Sequence, residues 1–386
     1  MTVTTAPTAE ATEIAPAAGV RFTVASRPMR RFSATQTVNI ANGGTSFAPI
    51  MLPATGFVRR LSFLFEASMT AASAGAVVAG DGPFNLVDSL TVTDATGQPI
   101  YQPISGYNLY LVNKYLTNPQ HHAIFGNNPV MGPEYAYSST ATTGTAVFRL
   151  DVDFEQDYRT GYGCIPNLDS NASLQVKIDA GPITRAFTGT GISAASLKVT
   201  VDQHYWAPIG SSMGGVPVRT TPPGFGDFLE MRYENQAATP NAENTVQATN
   251  RGGLIKGIIA VSRASATGAR VAYAPGTNVG LVYDNNAIDE GIRVESQYDE
   301  MRRHHGYIGT DAATSYAPLT PGTVPGLDRG VLVWNFDSLS DNRDSWLSTR
   351  VGTLLQLKVT PGATADRLEL ITGLMQVKDA AAFYGD

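Results

Sequence analysis

Apolar residues fall on every second position through much of this chain, and that period of two marks half-buried β-strands. Within Asp81–Tyr115, Leu86, Leu90 and Val92 sit at even positions with polar Asp88, Thr91 and Thr93 among them. Thr96-Gly97 then supplies a turn, because glycine tolerates positive φ. Ser105 is placed to cap a helix in which Leu109, Val112 and Leu116 recur at helical spacing. The same reading predicts strands over 35–41, 46–52, 57–67, 86–93, 100–104, 146–154, 173–179 and 196–206. Leu61, Phe63 and Phe65 share one face of the third. In the second half it predicts strands over 228–233, 254–263, 270–274, 279–283, 331–336, 353–360 and 367–378. A helix is predicted over 288–305, with Ile292, Val294, Tyr298 and Met301 along one side and Asp289 and Glu290 at its positive end.

The two halves repeat one another. LQVKI at 174–178 answers LQLKV at 355–359. FRLDVDFEQDYR at 148–159 resembles VLVWNFDSLSDNRD at 331–344, and SLKVTVDQHYW at 196–206 corresponds to RLELITGLMQV at 367–377. Each half also carries an Asp-containing turn, at Asp94 and Asp284, followed by a helix. Matches in the same order point to a tandem duplication. Seven or eight short alternating strands per unit give a β-sandwich, and eight strands in two Greek keys give a jelly roll. The expected fold is therefore all-β: two tandem eight-stranded jelly-roll β-sandwiches with short flanking helices.

Composition sets the boundaries. Residues 1–20 are Ala, Thr, Pro and Glu, with too little apolar surface to offset their ordering entropy. Arg21, Arg27, Arg30 and Arg31 follow, interleaved with Phe22, Val24, Met29 and Phe32. They read either as a solvated lead-in to the first strand or as a basic, apolar-studded arm touching an anionic surface or a neighbouring subunit. Residues 207–227 are dense in Gly and Pro. The division is a flexible arm at 1–32, a first jelly roll at 33–207, a linker at 208–227 and a second jelly roll at 228–386. The net charge of −6 argues against a general nucleic-acid surface, which needs a basic face. Cys164 is the single cysteine, so no intrachain disulfide forms, which suits a reducing cytosol. No apolar run is long enough for a transmembrane helix, and the first residues lack the pattern of a secretory signal.

Candidate chemistry is sparse. Gly210-Ser211-Ser212-Met213-Gly214 matches G-x-S-x-G, but Gly215, Val216 and Pro217 leave no room for the helix that a nucleophile elbow requires. His121-His122 and His304-His305 are adjacent pairs whose side chains diverge, a poor metal geometry. Asp284-Asn285-Asn286 and Asp289 lack the spacing of a calcium loop and read as a turn with a helix cap. Phe187-Thr188-Gly189-Thr190-Gly191 has no helix behind it and cradles no phosphate. Asp151 and Asp153 share a strand face without a visible partner set. Tyr101, Tyr107, Tyr110, Tyr115, Tyr205 and Trp206 read as core and subunit-contact aromatics. The expectation is a protein with no catalytic residues, no cofactor and no metal.

Two longer stretches carry a family resemblance. Gly82-Pro83-Phe84-Asn85-Leu86-Val87, then Ser105-Gly106-Tyr107-Asn108-Leu109-Tyr110-Leu111-Val112-Asn113, resembles the first-barrel strand and helix of the tectivirus major capsid protein. That family coats tailless icosahedral phages with a membrane inside the shell. Asp341-Asn342-Arg343-Asp344 resembles a D-N-R-D stretch near the family's C-terminus. The resemblance implies a double jelly roll and a structural role, the major coat protein of a virion assembled in the host cytoplasm. It further implies a homotrimer with six barrels, contacts with neighbouring capsomers and with minor capsid and vertex proteins, an N-terminal arm facing internal membrane lipid, and no direct nucleic-acid contact. Gly82, Pro83, Asn85, Ser105, Gly106, Tyr107, Asn113, Asp341, Asn342, Arg343 and Asp344 would be its structural motif residues. The alternatives are a secreted two-sandwich carbohydrate-binding protein or glycosidase, and a minor capsid or spike component.

Overall fold

The fold is seen in a computed structural model that describes residues 21–41, 43–71, 77–78, 81–94, 96–116, 135–139, 142–171, 173–188, 191–208, 212–213, 216–224, 227–249, 252–284, 286–305, 327–337, 345–349 and 354–377. The first half carries β1 (Ser26–Asn39), β2 (Thr45–Ser46, resumed at Ile50–Met51), β3 (Gly56–Ala71), β4 (Val87–Thr93) and β5 (Pro99–Ile104). Helix α1 (Gly106–Tyr115) follows, then β6 (Thr143–Asp153), β7 (Gln175–Ala180) and β8 (Ile192–Pro208). One sheet runs β1-β8-β3-β6, with Tyr135–Ser139 added outside β6, and the other runs β2-β7-β4-β5. All of these pairings are antiparallel.

The second half repeats this plan. It carries β9 (Leu229–Ala237), β10 (Asn244–Gln247), β11 (Leu254–Arg263), β12 (Asn278–Tyr283) and β13 (Asn286–Arg293). Helix α2 (Val294–His305) is followed by β14 (Val331–Asn335), β15 (Leu355–Val359) and β16 (Arg367–Met375). Its sheets run β9-β16-β11-β14 and β10-β15-β12-β13, the first unit's order with every label advanced by eight. The helix also falls between the fifth and sixth strands of each unit. The repeated segments occupy equivalent strands: β6 and β14, β7 and β15, β8 and β16. Each unit is a jelly roll, as the duplication predicts.

The cores follow the period-two pattern. On β3, Leu61, Phe63, Phe65, Ala67 and Met69 are buried while Leu64, Ser68 and Thr70 are exposed. On β8, Leu197, Val199 and Val201 point inward, and the half-buried Lys198, Thr200 and Asp202 point outward. β11 breaks the pattern, because all ten of its residues are buried. On β16 only Arg367 is not. Leu116 of the first unit lies over both of these central strands: a Cβ at Gly257 would come 2.5 Å from it and one at Gly373 3.5 Å.

Three boundaries differ from the sequence reading. Residues 26–32, expected in a flexible arm, are the first half of β1, paired from Ser26↔Pro208 to Phe32↔Asp202. The partner strand lies at the far end of the unit in sequence, so local composition carries no sign of it. Phe22 anchors the turn before β1 by packing edge-on against Phe57 (5.3 Å) and Trp206 (6.4 Å). The helix predicted from residue 288 begins at Val294. Residues 286–293 instead pair with β12, and Gly291 there has φ +67°, outside helical space. Residues 270–274 make only isolated bridges, through Arg270 and Tyr273.

Candidate functional site: the seam between the units and the basic edge strand

Helix α1 is the wedge between the two units. Ser105 caps it, its hydroxyl accepting from the Asn108 N–H at 3.3 Å. A Cβ at Gly106 would lie 2.3 Å from the Phe84 carbonyl oxygen and 2.8 Å from Val87 Cβ, so only glycine lets the helix sit this close to the 81–87 segment. The Asn113 amide donates to the Asp151 carbonyl (2.6 Å) and accepts from the Asp151 N–H (2.9 Å), pinning the helix to β6. All ten residues of α1 are buried, including Lys114. An amphipathic stripe would leave one face wet; this helix has none, because the second unit covers what the first does not.

Polar contacts cross the seam at several points. The Tyr107 hydroxyl donates to the Leu327 carbonyl (2.6 Å), and the Asn335 side chain donates to the Tyr115 carbonyl (2.6 Å). Lys114 and Asp328 form an ion pair with both side chains fully buried. Burial holds the Lys114 ammonium below the usual lysine range, with Asp328 opposing that shift. Leu116, which ends the helix, lies against Gly257 of β11: a Cβ there would come 2.5 Å from Leu116 Cδ2 and 2.7 Å from the Trp334 carbonyl oxygen. Lys256 reaches Gln156 at 3.1 Å, and the Tyr162 hydroxyl donates to Asp227 at 2.7 Å.

The densest cluster lies at Asp81, just before the Gly82-Pro83 bond, which is cis. Its carboxylate takes Arg263 at 2.6 Å and also pairs with Arg270. Arg263 turns its Nε to Glu369 at 2.7 Å, and Arg270 donates to the Arg329 carbonyl at 2.9 Å. Both guanidinium groups lie over the Tyr107 ring, at 5.2 and 5.0 Å from its centroid. Glu369 is shared with the partly exposed Arg367 at 2.7 Å, so two carboxylates meet three guanidinium groups. Burial acts to raise the Asp81 carboxyl, but Arg270 and Arg263 outweigh it and hold the group below the usual carboxylate range.

Of the motif residues, Tyr107 crosses the seam through its bond to Leu327, and Asn113 pins the helix within the first unit. Gly82 and Pro83 are buried beside Asp81, Asn85 is the half-buried middle residue of the short 3-10 turn at Phe84–Leu86, and Ser105, Gly106, Tyr107 and Asn113 belong to the helix and its cap. Asp341, Asn342, Arg343 and Asp344 lie outside the described residues.

The basic residues form a different surface. Arg27, Arg30 and Arg31 are exposed on β1, an edge strand, and Arg21 is exposed in the turn before it. Val24, Met29 and Phe32 are exposed beside them, at 58%, 46% and 58%. Arg30 pairs with Asp202 of β8. His204, also on β8, has its pKa lowered to about 4 by burial and by the Arg60 and Arg30 charges.

The remaining candidates are accounted for structurally. Asp151 pairs with Arg149 (3.2 Å) and Arg60 (3.6 Å), and Arg60 also approaches Asp153 (3.9 Å). Ser212-Met213 pairs with Val216-Pro217 as a short hairpin in the linker, while Gly210, Ser211 and Gly214 lie outside the described residues. Asp284 (φ +46°) makes a turn, its carboxylate accepting from the Leu354 N–H at 2.8 Å; strand β13, not a helix, follows it. Phe187-Thr188 pairs with Val77-Val78; Gly189 and Thr190, like His121 and His122, lie outside the described residues. His304 and His305 close α2. Tyr101, Tyr107, Tyr110, Tyr115, Tyr205 and Trp206 are all buried. Among the described residues no group of three or more His, Cys, Asp or Glu side chains converges on a metal-sized site.

No protein-family model and no curated protein matches the chain. Solved structures do. The major capsid protein of Sulfolobus turreted icosahedral virus superposes with a TM-score of 0.61 at 13% identity, over 93% of this chain and 100% of its own. The fold is a double jelly roll. The Faustovirus major capsid protein matches the same architecture with a TM-score of 0.52 at 10% identity, covering 91% of this chain and 90% of its own. The major capsid protein of bacteriophage PM2 gives 0.50 at 10% identity, covering 90% and 99%. In each case the likeness covers nine-tenths or more of both chains, and so takes in both barrels.

Sequence reasoning found the seam's helix but not its charges. Asp81, Lys114, Arg263, Arg270, Asp328 and Glu369 come together from segments far apart in the chain. The available sign was a charged residue inside or beside an otherwise apolar run, as with Glu369 in RLELITGLM and Arg263 at the end of LIKGIIAVSR.

Proposed function

We propose that this chain is the major coat protein of an icosahedral virus shell built around an internal membrane. The observation that supports it most is the repeated strand order: two jelly rolls of one topology, joined through a buried seam, on a chain that major capsid proteins match from end to end. A rigid two-barrel chain in threefold cyclic symmetry gives six barrels in a near-hexagonal outline, a block that tiles a curved wall. The partners are then further copies of the chain, first in the trimer and then between neighbouring trimers, together with minor capsid and vertex proteins. The division into an arm, a first jelly roll, a linker and a second jelly roll belongs to this reading.

Arg21, Arg27, Arg30 and Arg31 form the basic patch, studded with Val24, Met29 and Phe32, that faces anionic lipid or the next capsomer. Each cation near a lipid surface contributes about 1 kcal/mol. The test is assembly. Light scattering should give a trimer at micromolar concentration, and micrographs of particles should show shells. Replacing Arg27, Arg30 and Arg31 together with Ala should leave trimers intact and impair shell formation or membrane packaging. A wild-type monomer would refute the coat reading; normal membrane-filled shells from the triple variant would refute the role of the patch.

A further inference from the structure

A cavity of about 270 Å³ opens on the seam where β5, the edge strand of one barrel, meets β9, the edge strand of the other. Ile104, Met231 and Ile371 supply apolar wall, and Tyr233 stands at 47% exposure on the lining. Asn108 Oδ1, on a side chain only 6% exposed, and Arg232 Nε are buried on the lining with no hydrogen-bond partner; Asp88 Oδ1 likewise makes no hydrogen bond but meets Arg185 as an ion pair. The other charges at the cavity are spoken for. Asp88 pairs with Arg185, and the far end of the Arg232 guanidinium pairs with Glu230.

The chemistry of a ligand that fits the cavity follows from Asn108 Oδ1 and Arg232 Nε. One is an acceptor and one a donor, and each is costly to bury unpaired. A carboxylate would satisfy Arg232 but meet Asp88; an ammonium would satisfy Asn108 but meet Arg232. A neutral head that both donates and accepts suits both. At the packing density of protein interiors the volume holds about ten non-hydrogen atoms. We propose that this seam cavity is a binding site for a small neutral amphipath, an alcohol or primary amide with a short apolar tail, whose head hydrogen-bonds Asn108 and Arg232. Such a ligand touches both barrels at once and stabilises their junction by mass action. The site rests on the seam alone, so its failure leaves the coat proposal standing.

The experiment is a titration of the full-length protein, methyl-labelled at Met and Ile, with 1-hexanol, hexanamide, hexanoate and hexylamine. The first two should shift the Met231, Ile104 and Ile371 methyl signals saturably, and about tenfold more tightly than the charged pair. Asn108→Ala and Arg232→Met should each weaken 1-hexanol about three- to tenfold, the range for one lost hydrogen bond. Arg232 lies on β9, away from the helix cap, so Arg232→Met reports on binding even if Asn108→Ala perturbs α1. Three results would each overturn the site: no saturable shift at millimolar ligand, hexanoate binding as tightly as hexanol, or both variants binding hexanol like the wild type.

Discussion

Removing the Asp81 carboxylate is the sharpest test of how the two barrels are held together. Asp81→Ala leaves Arg263 and Arg270 with one carboxylate, Glu369, in place of two, and Glu369 is already shared between Arg263 and Arg367. The Arg270 side chain is 2% exposed and also donates to the Arg329 carbonyl. Breaking a buried pair from one side costs about 3–5 kcal/mol, because the abandoned charge stays buried. The loss should appear in chemical denaturation as a lower midpoint. Since Asp81 belongs to one unit and both arginines to the other, it should also appear as a split of one transition into two. Asp81→Asn, which keeps an acceptor but not the charge, should fall between wild type and Asp81→Ala.

The pH dependence gives an independent handle. The folded-state pKa of Asp81 lies below the ordinary value of 3.8. Its contribution is therefore fully present above pH 3.8 and is lost as pH falls through the folded value. The stability gap between wild type and Asp81→Asn should hold steady from pH 8 to 5 and close below pH 3.8. A loss under about 1 kcal/mol for Asp81→Ala at pH 7, or a gap that does not change with acid, would show that the cluster does not hold the seam.

Two further substitutions probe the wedge itself. Gly257→Ala places a methyl 2.5 Å from Leu116 Cδ2 and 2.7 Å from the Trp334 carbonyl, and backbone cannot move as a side chain can. It should cost about 1–3 kcal/mol, measured by thermal unfolding, and an unchanged midpoint would mean that the seam is looser than its geometry. Asn113→Ala removes two hydrogen bonds and strands the Asp151 backbone groups that made them. It should cost about 1–3 kcal/mol and speed hydrogen exchange along β6 near Asp151; protection equal to wild type would count against the clamp.

The sequence by itself determined everything that depends on near neighbours. The period of two placed β3, β4 and β8, the serine ahead of an apolar helix placed α1, and the matched strands of the two halves foretold two barrels of one strand order. Each of these rests on side chains within a few residues of one another, where pattern and local hydrogen bonding decide. Only the tertiary structure decided the rest. The first seven residues of β1 are strand because β8 offers them backbone partners from the other end of the unit. Residues 286–293 are strand because β12 lies beside them. Helix α1 and strand β11 are dry on every side because a second barrel leans on them, and charges can be buried there because Asp81 meets Arg263 and Arg270, and Lys114 meets Asp328, across the seam, while Glu369 pairs with Arg263 within its own unit. Burial and charge pairing are properties of what arrives from elsewhere in the chain, and the local period of the sequence holds no record of it.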